Sequence, residues 1–182
     1  MNHTKAWKNF QSSIENSTVL IQRCNEYKTE KGSTCVQTQE ILKRSSIILL
    51  MTSWETYIED VCSEIFNNQY QVLHGSSIGL YVRRKFEDQL KKFHNPNSAK
   101  VAQLFTEFFN FDITTEWYWN SYNEPNQVKK KLNQWLEKRG EIAHRSSPDD
   151  VPSKPDIEKG IRFIRELVDK TDEIIQNKIL NI

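Results

Sequence analysis

Apolar residues recur at helical spacing along almost the whole chain. From about Lys5 to Tyr27, Trp7, Phe10, Ile14, Leu20 and Ile21 follow one another at broadly helical steps, and the polar run KTEKGST breaks the pattern at Gly32. A second, longer segment runs from about Thr34 to Asn67. With roughly 100° per residue and Ile47 as origin, Met51, Trp54, Ile58, Val61, Cys62 and Ile65 all fall within about 60° of it. So broad an apolar face over several turns predicts the central helix of a bundle. HGSS then interrupts, and YVRRKFEDQLKKF reads as a basic helix. NPNS resets the chain, with Ser98 the expected N-cap of AKVAQLFTEFF. NFDITTEWYWNSYNEPN is irregular and aromatic. Pro125 suits the first turn of a further helix, carrying KRGEIAHR at its end. After SSPDDVPSKPD, Pro155 or Asp156 opens a final helix to about Leu180, striped by Ile157, Ile161, Ile164, Val168 and Ile175. No stretch alternates long enough for a strand, and no segment repeats. The expectation is one all-α domain over residues 1–182, a bundle of about five or six helices, with 1–33 as its N-terminal helix and turn.

Two charged residues violate the pattern. On the helix after Pro125, with Val128 at zero, Leu132, Trp135, Leu136, Ile142 and Ala143 average about 20°, and Arg139 also falls at about 20°. It occupies the middle of the apolar stripe. A guanidinium keeps its proton, so burial demands a carboxylate, a phosphate or a wet cleft. An arginine snorkelling past the core to a partner acid fits this pattern equally well. Gly140 beside it costs about 1 kcal/mol relative to Ala in a helix interior, which suggests a close approach there or the start of unwinding. His144 lies about 140° round the wheel from Arg139. The two converge only if the helix ends near Ala143 or a second copy of the chain contributes; a dipole contact at a helix terminus is the commoner role for such a histidine. On the long helix Glu55 falls near 80°, inside the apolar arc, and Glu59 near 120°, at its rim. Glu55 and Arg139 are thus expected to pair, or to flank one polar cleft.

Composition narrows the field. Lys and Arg number 25 against 24 Asp and Glu, a formal charge of +1, so a polyanionic partner must be met by a local patch. Arg83–Lys85, Lys91–Lys92 and Lys129–Lys131 could form one, though solvated helix faces explain them as well. Trp117, Tyr118, Trp119 and Tyr122 could stack bases, but packing is the commoner use of such a cluster. Cys24, Cys35 and Cys62 are odd in number and without CxxC spacing, pointing to reduced thiols in a cytoplasmic protein. The start lacks the apolar run of a signal peptide, and SSIILLMTSW is too short to span a bilayer. His3, His74, His94 and His144 are scattered, so no metal site is expected. No P-loop, dinucleotide-binding or G-x-S-x-G motif is present, and no cofactor is called for.

Arg139-x4-His144 resembles the R-x4–6-H motif of the HEPN superfamily. LNQWLEKRGEIAHRSS is similar to the motif helix of the RiboL-PSP-HEPN and related nuclease groups, and LLMTSWETYIEDV to their long second helix. The resemblance covers about residues 40–180. Two features depart from it. Gly140 stands where many HEPN nucleases carry Asn or Asp, and Ser146 where nucleotidylated toxins carry a tyrosine.

The resemblance implies a metal-independent endoribonuclease of antiviral defence or of a toxin–antitoxin system, cleaving RNA by attack of the ribose 2′-hydroxyl. Arg139, His144 and Glu55 then form the catalytic group, and Lys138, Gly140 and Arg145 lie where substrate binds. It also implies a homodimer in which two motifs face one cleft, since one chain supplies one His144, together with an antitoxin or defence-system partner. Two alternatives remain open: an inactive HEPN-like module that binds RNA or protein, and an unrelated helical scaffold in which Glu55 and Arg139 are a buried pair.

Overall fold

The computed structural model describes residues 3–24, 33–144 and 151–180. Six α-helices account for most of them, and no strand occurs among the described residues, so the fold is all-α as the periodicity predicts. They are α1 (Lys5–Arg23), α2 (Ser33–Gln69), α3 (Ser77–Leu90), α4 (Ser98–Phe109), α5 (Pro125–His144) and α6 (Lys154–Ile175), which continues as a π-helical turn over Gln176–Leu180.

At 37 residues, α2 is the axis of the bundle. Its apolar arc is broad because different sides meet different neighbours: α1, α4, α5 and α6 all pack against it. Ile47, Leu50, Trp54, Tyr57, Ile58, Val61, Cys62 and Ile65 are essentially inaccessible to solvent. Along α1 the contact is drawn close by two small residues: Ser17 Oγ donates to the Ser46 carbonyl at 2.8 Å, and Ser46 Oγ donates to the Ser17 carbonyl at 3.0 Å. All three cysteines are buried as thiols, with no disulfide among the described residues.

The later helices are set by local signals that the sequence mostly shows. Asn97, not Ser98, caps α4: its side chain accepts from Lys100 N, and Ser98 is the first helical residue. Either residue type serves, and backbone geometry decides. Ser153 caps α6, accepting from Asp156 N, and Pro155 sits in the first turn as its fixed φ favours. Helix α5 lies so close to α6 that a Cβ on Gly160 would come within 2.3 Å of the Trp135 ring. That glycine is required by packing. Gly140 is different: among the described residues nothing lies within 4 Å of where its Cβ would stand, and α5 runs on to His144. Neither a close approach among the described residues nor helix unwinding before His144 explains it.

The aromatic stretch divides. Trp117 is buried edge-on against Trp54, at 5.9 Å between centroids. Trp119 and Tyr122 pack on Phe163 of α6. Only Tyr118 of the four is largely exposed. Most of the cluster is therefore core.

Candidate functional site

The apolar stripe of α5 leaves the core in its last two turns. Val128, Leu132, Trp135 and Leu136 are buried, Ile142 is half-buried and Ala143 is exposed. Arg139 sits at this transition with 26% of its side chain exposed. It is neither a dry core arginine nor a surface one.

Its guanidinium meets two groups from two other elements. Nη1 donates to Asn95 Oδ1, in the connection between α3 and α4, and Nη2 stands 4.0 Å from Glu55 Oε2 on α2. The Asn95 backbone N–H donates in turn to Glu55 Oε1 at 3.2 Å. Asn95 thus holds both members of the charge pair, one with its amide oxygen and one with its main chain. It does so from a left-handed conformation, φ +53°, which Asn adopts more readily than most side chains. His94, just before it, places Nδ1 3.9 Å from Glu55 Oε1.

The connection that carries these residues is fixed on three sides. The buried indole of Trp54 donates to the Pro96 carbonyl at 3.0 Å, tying it to α2. Asn133 of α5 accepts from Ser98 N at 3.0 Å and donates to Ser98 Oγ at 3.1 Å. Lys100 Nζ donates to the His94 carbonyl. These bonds hold the backbone of the connection in place.

Electrostatically the cluster is a partly exposed polar group at the core margin. Glu55 is 17% exposed, and Glu59, one turn further along α2, shares its edge. Burial, followed by the neighbouring Glu55 charge, pushes the Glu59 carboxyl above its ordinary value, with His94 acting in the opposite sense. Among the described residues Arg139 has donors to spare. A guanidinium offers five N–H groups in a planar fork, Asn95 takes from one nitrogen, and Glu55 stays beyond hydrogen-bond length. A phosphate oxygen can be accepted without dismantling the pair.

The structure brings Arg139 and Glu55 together and leaves the other expected site residues more dispersed. His144, on the last turn of α5, is exposed. Lys138 pairs with Glu141 at 2.8 Å and lines a separate groove of about 310 Å³ with Pro152 and Asp156. Arg145 lies outside the described residues. His94 and Asn95 are the residues that sequence reasoning missed. Their only signal was the Asn-Pro break after the basic helix, which marks a turn and says nothing of what the turn touches. Among the described residues no group of three or more His, Cys, Asp or Glu is placed to hold a metal ion. No helix among them is long and apolar enough to cross a membrane.

The family model described as RiboL-PSP-HEPN matches residues 18–177, which include every member of this cluster. No curated protein and no solved structure matches the chain.

Proposed function

The chain belongs to the RiboL-PSP-HEPN family, and from that premise we propose that it is a homodimeric endoribonuclease that cuts RNA without a metal ion. Membership in a HEPN family points to nuclease or RNA-related function in general. The observation that carries the finer reading is Arg139: an arginine at the margin of the core, braced by Asn95 and Glu55, with donors free for an anion and an exposed His144 on the same helix end.

The chemistry follows from those groups. The ribose 2′-oxygen attacks the adjacent phosphorus as the bond to the 5′-oxygen breaks. One group must take the 2′-hydroxyl proton and another must protonate the departing oxygen. Histidine suits either task near neutral pH. Arg139 offsets the charge that accumulates on the phosphorane-like oxygens, where a planar fork serves better than a point charge. Glu55 keeps the guanidinium aimed. In a two-fold dimer with the motif ends of α5 facing one cleft, two such motifs share the substrate. The site then acts in antiviral defence or as the toxin of a toxin–antitoxin pair, in the cytoplasm, restrained by a partner protein.

The test is cleavage of total RNA by the pure protein in EDTA, with end-group analysis of the fragments. A 2′,3′-cyclic phosphate and a 5′-hydroxyl are expected, with deoxyribose at the cut site inert. A 5′-phosphate product, or activity abolished by EDTA, defeats the mechanism. RNA bound but left intact selects the inactive RNA-binding module instead. Light scattering at micromolar concentration checks the assembly, and a fully active monomer overturns the dimer.

A further inference from the structure

The cleavage reaction needs two proton-transfer groups, and within one chain a second histidine shares Glu55 with the guanidinium. Glu55 has an imidazole on one oxygen and a guanidinium on the other: His94 Nδ1 is 3.9 Å from Oε1, and Arg139 Nη2 is 4.0 Å from Oε2. The three side chains come from the α3–α4 connection, α2 and α5, elements far apart in sequence. The His94 side chain is 78% exposed, so its ring is accessible to a substrate, while its backbone is anchored through Lys100, the Asn95 contacts and the Trp54–Pro96 bond. With Nδ1 turned towards the carboxylate, Nε2 remains for a reacting group.

We infer that His94 is the second proton-transfer group of this site, the base that takes the 2′-hydroxyl proton while His144 protonates the leaving 5′-oxygen. This rests on the nuclease reading above and deepens it. The step balances within the named groups. The bond from the 2′-oxygen to phosphorus forms and the bond from phosphorus to the 5′-oxygen breaks. One proton moves from the 2′-hydroxyl to His94 and one from His144 to the 5′-oxygen; solvent afterwards resets both rings. Glu55 stabilises the imidazolium that forms, as a carboxylate behind a catalytic histidine does in other hydrolytic sites. The charged groups around His94 are Glu55 and Glu59 of α2, Arg139 of α5 and Lys100 of α4. Negative charge thus faces the ring from α2, with Arg139 and Lys100 as the nearby cations. A two-fold pair of such chains holds two complete sets of base, arginine and acid.

The experiment uses the full chain and a short RNA with one cleavable linkage, in EDTA, with kcat and KM followed against pH. A second substrate carries sulfur in place of the bridging 5′-oxygen, so that its leaving group departs without an acid. His94→Gln is expected to lose kcat by about 10²–10⁴-fold with KM little changed. The acidic limb of its pH–rate profile should disappear, because that limb reports deprotonation of the base. The sulfur substrate should rescue His144→Ala and not His94→Gln. If His94→Gln keeps the wild-type kcat and acidic limb while Arg139→Ala and His144→Ala are inert, the inference fails and the nuclease reading stands. Rescue of His94→Gln by sulfur overturns its assignment as base. A wild type inert towards all RNA removes both readings together. An unchanged unfolding temperature for His94→Gln, expected for so exposed a ring, excludes misfolding as the cause.

Discussion

Two carboxylates, Asp172 and Glu55, sit at opposite ends of a range from saturated to available. Asp172, on α6, has no solvent exposure and is met by the Thr4 hydroxyl, the Thr4 backbone N–H at 3.4 Å and His3 Nδ1 at 3.0 Å. Thr4 is also the N-cap of α1, accepting from Trp7 N at 3.0 Å, and His3 stacks on Trp7 at 3.7 Å between centroids. Next to it, Trp7 donates to Asp169 at 2.7 Å, and Glu64 accepts from the first-turn N–H groups of Lys5 and Ala6, each at 3.1 Å. Each charge in that corner is used to fix the start of α1. Among the described residues Glu55 has one backbone hydrogen bond and two neighbours, the His94 ring and the Arg139 guanidinium, near 4 Å, and it is partly exposed. A buried acid must be satisfied within the fold or it destabilises it. An acid at the edge of a cleft can leave its partners partly free, and those partners can then meet a ligand. His3 and His94 both stand beside a carboxylate, but of the two only His94 shares its carboxylate with an arginine among the described residues.

The sharpest break between the two regions should come from the cleft. His144→Ala is expected to lower cleavage by about 10²–10⁴-fold. Arg139→Lys should also fail badly, since an ammonium cannot present the bidentate fork. Neither should move the unfolding midpoint greatly, and a large shift in calorimetry would place these residues with Asp172 as structural. In the other region the signs reverse. Asp172→Asn should cost about 1.5–3 kcal/mol of stability, the range for hydrogen bonds to a charged acceptor, and leave kcat in place once the protein is folded. Denaturant titration beside the RNA assay separates the two effects.

Glu55→Gln probes the boundary. As an aiming group it should cut activity strongly while costing about 0–1 kcal/mol of stability, because its ion pairs are long and partly solvated. A loss of stability larger than the loss of activity would return Glu55 to the structural class. Glu59→Gln should stabilise slightly at neutral pH. Its folded pKa is raised, so the native state binds more protons than the unfolded one above the ordinary value of 4.5, and stability falls as pH rises through that window. The benefit of the amide should therefore vanish below it, as thermal melts at both pH values will show. The smallest change concerns Gly140. With open space around it, Gly140→Ala should raise stability by up to about 1 kcal/mol. If cleavage drops despite that gain, the side of Gly140 left open by the described residues is where substrate or a second copy comes close.

The helical segments, with shifted ends for α3 (Ser77–Leu90 against an expected start at Tyr81), and the oddity of two residues are legible in the order of side chains. Periodicity placed α2 to within about two residues at each end, because a helix repeating every 3.6 residues must show its buried side in the order of its side chains. The same periodicity exposed Arg139 and Glu55, since a charge inside an apolar arc is visible without any partner. Wheel angles also separated Arg139 from His144, and the structure keeps α5 helical through both. Gly140 showed the limit of such reasoning: the cost of a helical glycine is local, but its justification depends on what lies beside it in space. The tertiary structure alone decided that α5 leaves the core at Arg139, that the α3–α4 connection folds back between α2 and α5, and that His94 and Asn95 arrive at Glu55. His94 and Arg139 are separated by more than forty positions, and no periodicity links a turn to a helix so far away. Their meeting depends on Trp54, Asn133 and Lys100 pinning a loop whose own residues signal only that the chain turns.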